Sequence, residues 1–339
     1  MRKVLLTGIT GFLGSHAAIQ LLNKGFEVVG TMRNLSRSSD MLEVISAYAP
    51  TEKLSFVQAD LEDAACWDEI MKEVDFVQHI ASPFPRTAPK SDRQIVNTAV
   101  NGTLNVLKAA ARQNVKRVVL TSSTGAIAYG KTKGLESKTY TEEDWTDTTN
   151  YRDTTAYFRS KTLAEKAAWD FIEKDNSGME LTTICPGAIL GPVLEKDFGT
   201  SANIVIKTMD GSTPAIPQLG FETVDVRSVA ELHVLAMESK EAANERFACT
   251  AGFLFFKDVA DILRTKYSDR KIPKASLPNF MVRAFSNFDA TLKPILIELG
   301  NKRKVDSSKA KNLLGWKPLS NKEAVLACAE SVIKLGIVQ

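Results

Sequence analysis

Tyr157 and Lys161 stand four residues apart in Thr155-Ala156-Tyr157-Phe158-Arg159-Ser160-Lys161-Thr162-Leu163-Ala164-Glu165, a stretch that reads as a helix. That spacing puts both side chains on one face. A phenol titrates near 10 in water and is a poor acid or base at neutral pH, but a neighbouring ammonium favours its ionised form. At an effective dielectric of about 20, a unit charge about 4 Å away is worth about 4 kcal/mol, enough for a shift of a few units. The pair is a tunable acid/base. Chance produces Y-x-x-x-K in any long helix, so the pair means chemistry only beside a group that handles the substrate. Thr121-Ser122-Ser123 supplies one at the end of an apolar, β-branched run. A hydroxyl there can hydrogen-bond an oxygen on which charge develops.

Such groups need a scaffold that gathers strand ends. The first half of the chain alternates short β-branched runs with longer helical patterns, the signature of a parallel sheet covered by helices. Strands are expected at 3–7, 27–31, 54–58, 75–80, 116–122 and 180–185, and helices at 12–24, about 37–48, 66–72, 92–113 and 155–174. The fold class is α/β: a doubly wound, parallel-sheet Rossmann fold, which binds ligands at the carboxyl ends of its strands. Beyond Cys185 the prolines Pro186, Pro192, Pro214 and Pro217 punctuate shorter elements, with helices expected at 229–238, 256–267 and 321–335. The division expected is a nucleotide-binding domain over 1–186, a strand return to its sheet near 220–252, and a smaller, mainly substrate-binding region over 187–339.

Gly8, Gly11 and Gly14 fall where the first strand turns into the first helix. Without Cβ atoms the backbone can approach a pyrophosphate, which the helix N-terminus then holds. The spacing G-x-x-G-x-x-G is one residue wider than the common dinucleotide fingerprint. An NAD site wants a carboxylate at the end of the second strand. None occurs between Glu27 and Asp40, and Glu27 lies at the wrong end of the strand. Arg33 and Arg37 instead offer guanidinium groups for a 2′-phosphate, so the cofactor expected is NADPH/NADP+. Asp60 follows the third strand, where its carboxylate could accept from the adenine amino group while the backbone through Leu61 packs beside the ring; it could equally cap a helix. Lys161 can also hold the nicotinamide ribose hydroxyls.

With these residues, the stretches His79-Ile80-Ala81-Ser82-Pro83-Phe84 and Cys185-Pro186-Gly187-Ala188-Ile189-Leu190-Gly191-Pro192, and Val224-Asp225-Val226-Arg227 further on, the chain resembles an extended short-chain dehydrogenase/reductase. It is most similar to the dihydroflavonol 4-reductase, cinnamoyl-CoA reductase and methylglyoxal (aldehyde) reductase group. The resemblance implies Ser123, Tyr157 and Lys161 as the catalytic triad. It also implies cofactor contacts from Phe12, Leu13, Ala81 and Pro186. The reaction implied is NADPH-dependent reduction of an aldehyde or ketone, with Tyr157 as proton donor. Two departures narrow the substrate. The N-W-Y-C-Y-G-K pattern of cinnamoyl-CoA reductases is missing around Tyr157, which disfavours a CoA thioester, and Ala128 stands where flavonoid reductases carry an asparagine. Asn97, Asn101 and Asn105 match a further asparagine of the wider superfamily by type only.

The remaining features are read more plainly. Ser82, Pro83 and Phe84, with Ser123, could line the substrate pocket, as could Tyr151. His79 is expected to pack beside the cofactor loop rather than act as a base. Glu142-Glu143-Asp144-Trp145 reads as a solvated turn with an aromatic anchor. Basic and acidic residues balance to +3 without clustering, which argues against nucleic acid. No run reaches the roughly 20 apolar residues of a membrane span. The four scattered cysteines suggest neither a metal site nor disulfides, so a cytoplasmic location is expected; the partner expected from the resemblance is a small-molecule carbonyl, with the chain a monomer or homodimer. Other readings on this scaffold are an NAD-dependent sugar-nucleotide epimerase or dehydratase, echoed by Ala128-Tyr129-Gly130, a hydroxysteroid dehydrogenase, and a non-enzymatic NADP-sensing regulator.

Overall fold

The computed structural model describes residues 2–83, 91–131, 138–196, 198–211, 214–286 and 295–338. In chain order the first half runs β1 (Lys3–Thr7), α1 (Phe12–Asn23), β2 (Glu27–Met32), α2 (Ser38–Ser46), β3 (Leu54–Gln58), α3 (Cys66–Ile70), β4 (Phe76–His79), α4 (Asp92–Arg112), β5 (Arg117–Thr121), a short β6 (Thr139–Tyr140) and α5 (Ala156–Lys174). There follow β7 (Glu180–Pro186), β8 (Ala188–Leu190), α6 (Asn203–Met209), β9 (Ile216–Pro217), β10 (Gly220–Asp225), α7 (Val226–Glu238), β11 (Arg246–Cys249), β12 (Gly252–Phe255) and α8 (Phe256–Lys266). Seven strands form one sheet in the order β11-β7-β5-β4-β1-β2-β3, parallel at every pairing. The order reverses between β1 and β4, which opens a crevice beyond their carboxyl ends.

Helices cover both faces, so the central strands are apolar almost without alternation. Val4, Leu6 and Val119 pack on α1, α7 and the buried Trp316. Leu5, Val77, Val118 and Leu181 face Trp67, Met71, Leu107 and Ala168 on the opposite side. A second sheet, β12-β10-β8, joins α6, α8 and the helix Asn321–Lys334 around a core that includes Leu190, Val205, Leu263 and Val325. Trp316 Nε1 donates to the Ser228 carbonyl at 2.9 Å, and the Leu319 amide donates to Ser228 Oγ at 2.9 Å, which fastens the C-terminal segment to α7.

The strand return expected near 220–252 is present as β11, the seventh strand of the central sheet. The structure differs from the sequence reading in two other places. The single helix expected at 37–48 is instead a 3-10 turn, Leu35–Arg37, followed by α2, because the Asn34 side chain accepts from the Ser36 amide and tightens the entry. The three-stranded sheet has no counterpart in the reading, since β8 and β12 are too short to show a period.

All three histidines are buried fasteners. His16 Nε2 donates to the Pro192 carbonyl at 2.9 Å. His233 Nδ1 donates to the Val229 carbonyl and its Nε2 accepts from the Thr121 hydroxyl, tying α7 to β5. His79 Nδ1 accepts from Thr7 Oγ1 at 2.8 Å. Burial pushes His16 and His233 down to about 4 and His79 to about 3, so all three are neutral in the folded chain. The unfolded chain then binds more protons below about pH 6.5, and each histidine withdraws on the order of 3 kcal/mol as pH falls from there to its folded value. Two buried carboxyls oppose this. Burial pushes Glu222 and Glu298 up to about 7, so their contribution grows on acidification. Three groups outweigh two: the thermal midpoint, followed by circular dichroism, should fall from about pH 6.5 to 4. It should fall more steeply in Glu222→Gln/Glu298→Gln, and a midpoint flat across that range would refute the assignment.

Candidate active site

The crevice begins at Thr7. Its Oγ1 accepts from the Ile80 and Ala81 amides, both at 3.0 Å, while donating to His79, so the ends of β1 and β4 are clamped together. Gly8 then turns with φ +73°, and a Cβ there would lie 3.0 Å from the Ala81 Cα. At Gly14 a Cβ would lie 2.1 Å from the Gly8 carbonyl oxygen. These two glycines let the turn fold flat against helix and strand. Gly11 caps α1 without a side-chain bond, and no acidic residue occupies the first turn. The positive end of the helix, with its free N–H groups, fits a dinucleotide pyrophosphate. Phe12 and Leu13 open that helix, and Leu13 is buried.

Glu27 lies at the far end of β2, paired with Lys3. At the near end Arg33 is exposed, and the half-buried Arg37 meets Glu195 at 2.6 Å. Asp60 is exposed and accepts from the Glu62 amide in a local turn; α3 starts six residues later, so Asp60 caps no helix. The Leu61 carbonyl accepts from Asn105 Nδ2 at 2.9 Å, and Gly102 makes room for the Leu61 side chain.

The three proposed catalytic residues converge at the carboxyl end of β5. α5 is started by Thr155, whose side chain accepts from the Phe158 amide. Its first turns place the Tyr157 hydroxyl in a hydrogen bond with Ser123. Ser123 Oγ also accepts from the Gly125 amide at 3.0 Å, which fixes its rotamer. One turn beyond Tyr157, Lys161 Nζ donates to the Thr121 carbonyl at 2.9 Å. Burial pushes the Lys161 ammonium down to about 8, with Glu165 offsetting part of the fall. Burial pushes the Tyr157 phenol up to about 12, and its bond with Ser123 offsets part of the rise. The sequence led us to expect a downward pull from Lys161. Desolvation dominates instead, and the ammonium is committed to the Thr121 carbonyl. The outcome is a phenol that keeps its proton at neutral pH.

Ala81 and Ser82 line a small polar cavity with Thr121, Ser122, Lys161 and Glu165, which has room for about one water. Pro186 ends β7 and is buried; Pro83 is half-buried; Phe84 lies outside the described residues. Tyr151 is 68% exposed with the Arg159 guanidinium over its ring, and Ala128 is buried in an apolar cluster. His79, neutral against Thr7, is a packing residue as expected.

Several supporting residues escaped the sequence reading. Phe158 stacks on Tyr129 with centroids 4.0 Å apart, and it fills the space a Cβ on Gly125 would need. Glu142 is buried rather than solvated, because its Oε1 accepts from the Ala248 amide and Arg246 donates to the Glu142 and Asp144 carbonyls. Trp145 lies over the same guanidinium at 3.8 Å. The partners are about a hundred residues apart, and no local pattern marks them.

Residues 4–249 match the NAD dependent epimerase/dehydratase family. The chain is 31% identical to the NADPH-dependent methylglyoxal reductase GRE2 of Saccharomyces cerevisiae over 352 aligned positions, 98% of each chain. It is 30% identical to cinnamoyl-CoA reductase CAD2 of Medicago truncatula over 320 positions, 91% of this chain and 96% of that one. Among solved structures, Gre2 in complex with NADPH from Candida albicans has a TM-score of 0.82 at 28% identity, covering 99% of each chain.

The glycine turn yields a direct test. Gly14→Ala must push the Gly8 peptide away from α1. It should lower Tm by several degrees and weaken NADPH binding at least about tenfold, read by nucleotide fluorescence. Unchanged affinity in a folded Gly14→Ala protein would remove this turn from the binding site.

Proposed function

We propose a carbonyl reduction for this chain, which belongs to the NAD dependent epimerase/dehydratase family of extended short-chain dehydrogenases/reductases. NADPH, when bound, supplies the hydride that goes to the carbon of an aldehyde or ketone. Ser123 donates to the carbonyl oxygen and orients it. Tyr157 gives that oxygen its proton as negative charge builds up there, and the product is an alcohol. Lys161, which donates to the Thr121 carbonyl, would use its remaining protons to hold the nicotinamide ribose hydroxyls and would stabilise the phenolate that forms as the proton leaves. The observation that carries the reading is the bond between Ser123 and a Tyr157 phenol held in its protonated form. A proton donor must enter the reaction protonated, and an alkoxide is basic enough to take the proton from phenol.

NADPH is favoured over NADH by Arg33 and Arg37 at the carboxyl end of β2, where a 2′-phosphate would lie, and neither β2 nor the loop after it supplies a carboxylate for a 2′-hydroxyl; Arg37 is paired with Glu195, which leaves Arg33 the leading candidate for the phosphate. Gly8, Gly11, Phe12, Leu13 and Gly14 would hold the pyrophosphate. Asp60 and Leu61 would flank the adenine, and Ala81 and Pro186 the nicotinamide side. The NADPH-dependent reductase of Saccharomyces cerevisiae and the Candida albicans Gre2 structure with NADPH bound support the cofactor. Residues 1–186 would carry most of the cofactor site, and 187–339 most of the substrate site. Among the described residues no helix is long and apolar enough to cross a membrane, and no group of side chains could hold a metal ion. A small-molecule carbonyl, rather than a CoA thioester or a dihydroflavonol, fits the departures around Tyr157 and at Ala128.

Two measurements test this reading. NADPH oxidation against a panel of aldehydes and ketones should show turnover that drops roughly 10²- to 10⁴-fold in Tyr157→Phe, with NADPH affinity retained. Full turnover in that variant would sink the tyrosine's role. Arg33→Ser should weaken NADPH about tenfold or more and leave NADH little changed. An equal loss for both nucleotides would instead mean that Arg33 does not read the 2′-phosphate.

A further inference from the structure

Tyr157, Lys161 and Glu165 occupy successive turns on one face of α5, and the third of them has no part in the reaction as described so far. Glu165 is 1% exposed, yet it carries a full set of partners. Oε1 accepts from Arg246 Nε at 2.7 Å and Thr183 Oγ1 at 2.8 Å. Oε2 accepts from Ser122 Oγ at 2.5 Å and Arg246 Nη2 at 3.1 Å. Burial alone would push the carboxyl up, but the Arg246 guanidinium and the two hydroxyls hold it below its ordinary value, so it is an anion at every working pH. Arg246 is itself locked by the carbonyls of Ala126, Glu142 and Asp144.

The groups that face Lys161 from the packed elements leave it one charged partner among the described residues. From β4 comes His79, kept neutral by burial. From β7 comes Cys185, whose thiol burial pushes up to about 12. From β5 comes the Thr121 carbonyl, and from its own helix the neutral Tyr157 and the anionic Glu165. Lys161 and Glu165 both line the small cavity described above, together with Ser82, Thr103, Thr121 and Ser122 and the apolar Ala81, Leu120 and Ala164.

We propose that Glu165, clamped by Arg246, is a positioning residue for the reaction: its fixed charge one turn beyond Lys161 keeps that ammonium protonated, and its bond to Ser122 sets the strand end that carries Ser123. The inference rests on the carbonyl-reductase reading, but its first test does not. In the nucleotide-free protein, NMR of lysine labelled at Cε follows the Lys161 titration, the signal being identified by its loss in Lys161→Arg. Glu165→Gln should lower the midpoint by about one pH unit or more, and Glu165→Asp should keep it near the wild-type value. In turnover, kcat/KM for NADPH-dependent reduction should fall about tenfold in Glu165→Gln at about pH 8 and recover toward wild type at about pH 6, where Lys161 regains its proton. Should Glu165→Gln fail to fold around an unpaired Arg246, the double variant Glu165→Gln/Arg246→Met is measured against Arg246→Met, so that the difference between the two reads the Glu165 charge alone and no difference counts as an unmoved midpoint. An unmoved Lys161 midpoint in either folded variant overturns the proposal, as does a loss of activity equal at all pH values, the mark of a purely structural role. A wild-type protein that reduces no carbonyl defeats the reaction assigned above, while the lysine titration still decides the electrostatic role.

Discussion

The seam between the end of β5 and one face of α5 governs the rest of the molecule. Three consecutive residues, the last of the strand and the two after it, are held by three turns of the helix: Thr121 by Lys161, Ser122 by Glu165, and Ser123 by Tyr157. A fourth contact, from Thr121 Oγ1 to His233, ties the same strand end to α7 on the opposite face of the sheet. A shift of α5 by one residue would break all three helix contacts at once. The register of this seam, more than any single residue, places hydroxyl, phenol and ammonium at the mouth of the crevice. The crevice itself follows from the reversal of strand order between β1 and β4, where Thr7 joins the two strand ends.

A buried charge at such a seam is costly, and the way the cost is met explains the composition around it. The Glu165 carboxylate and Arg246 guanidinium are each almost fully removed from water, and a pair of this kind often contributes little net stability against an apolar replacement. Breaking it is another matter, since one partner left unpaired costs about 3–5 kcal/mol. The structure therefore surrounds the pair with donors and acceptors that leave no lone pair of Glu165 idle: Ser122, Thr183 and two guanidinium nitrogens. Trp145 then seals the outer face of Arg246. A fully satisfied network of this kind rigidifies a particular arrangement.

The parts that could be read from the sequence are those whose cause is local. Glycines at 8, 11 and 14 mark a turn because at 8 and 14 only that residue tolerates the geometry there. The four-residue spacing of Tyr157 and Lys161 marks a helical face, and the missing carboxylate after β2 marks the nucleotide preference. What stayed hidden depends on partners distant in sequence or on shape. Phe158 next to Tyr157 is matched by the missing side chain of Gly125, thirty-three positions earlier, and neither residue signals the other. Glu142 looked solvated because its neighbours are charged; the amide and guanidinium that bury it arrive on β11. The Tyr157 phenol moved opposite to the expected direction because charge proximity can be read from spacing, whereas desolvation depends on everything packed around the ring.

The same long-range contacts change how the two halves of the chain should be understood. Arg246, which braces Glu165 from the strand return expected near 220–252, lies beyond residue 186. So does Arg303, whose guanidinium sits 4.6 Å over the Tyr129 ring, bonds Asp153 at 2.5 Å and pairs with Glu298. Tyr129 in turn stacks on Phe158, the neighbour of Tyr157. The C-terminal half thus buttresses α5 at two levels, at Glu165 through β11 and at Phe158 through the segment ending in Lys304–Val305. A region that only covered a substrate could vary freely without disturbing the triad. This one shares buried charges with α5, so under the proposed reaction changes made on the C-terminal side act on Tyr157 and Lys161 as well.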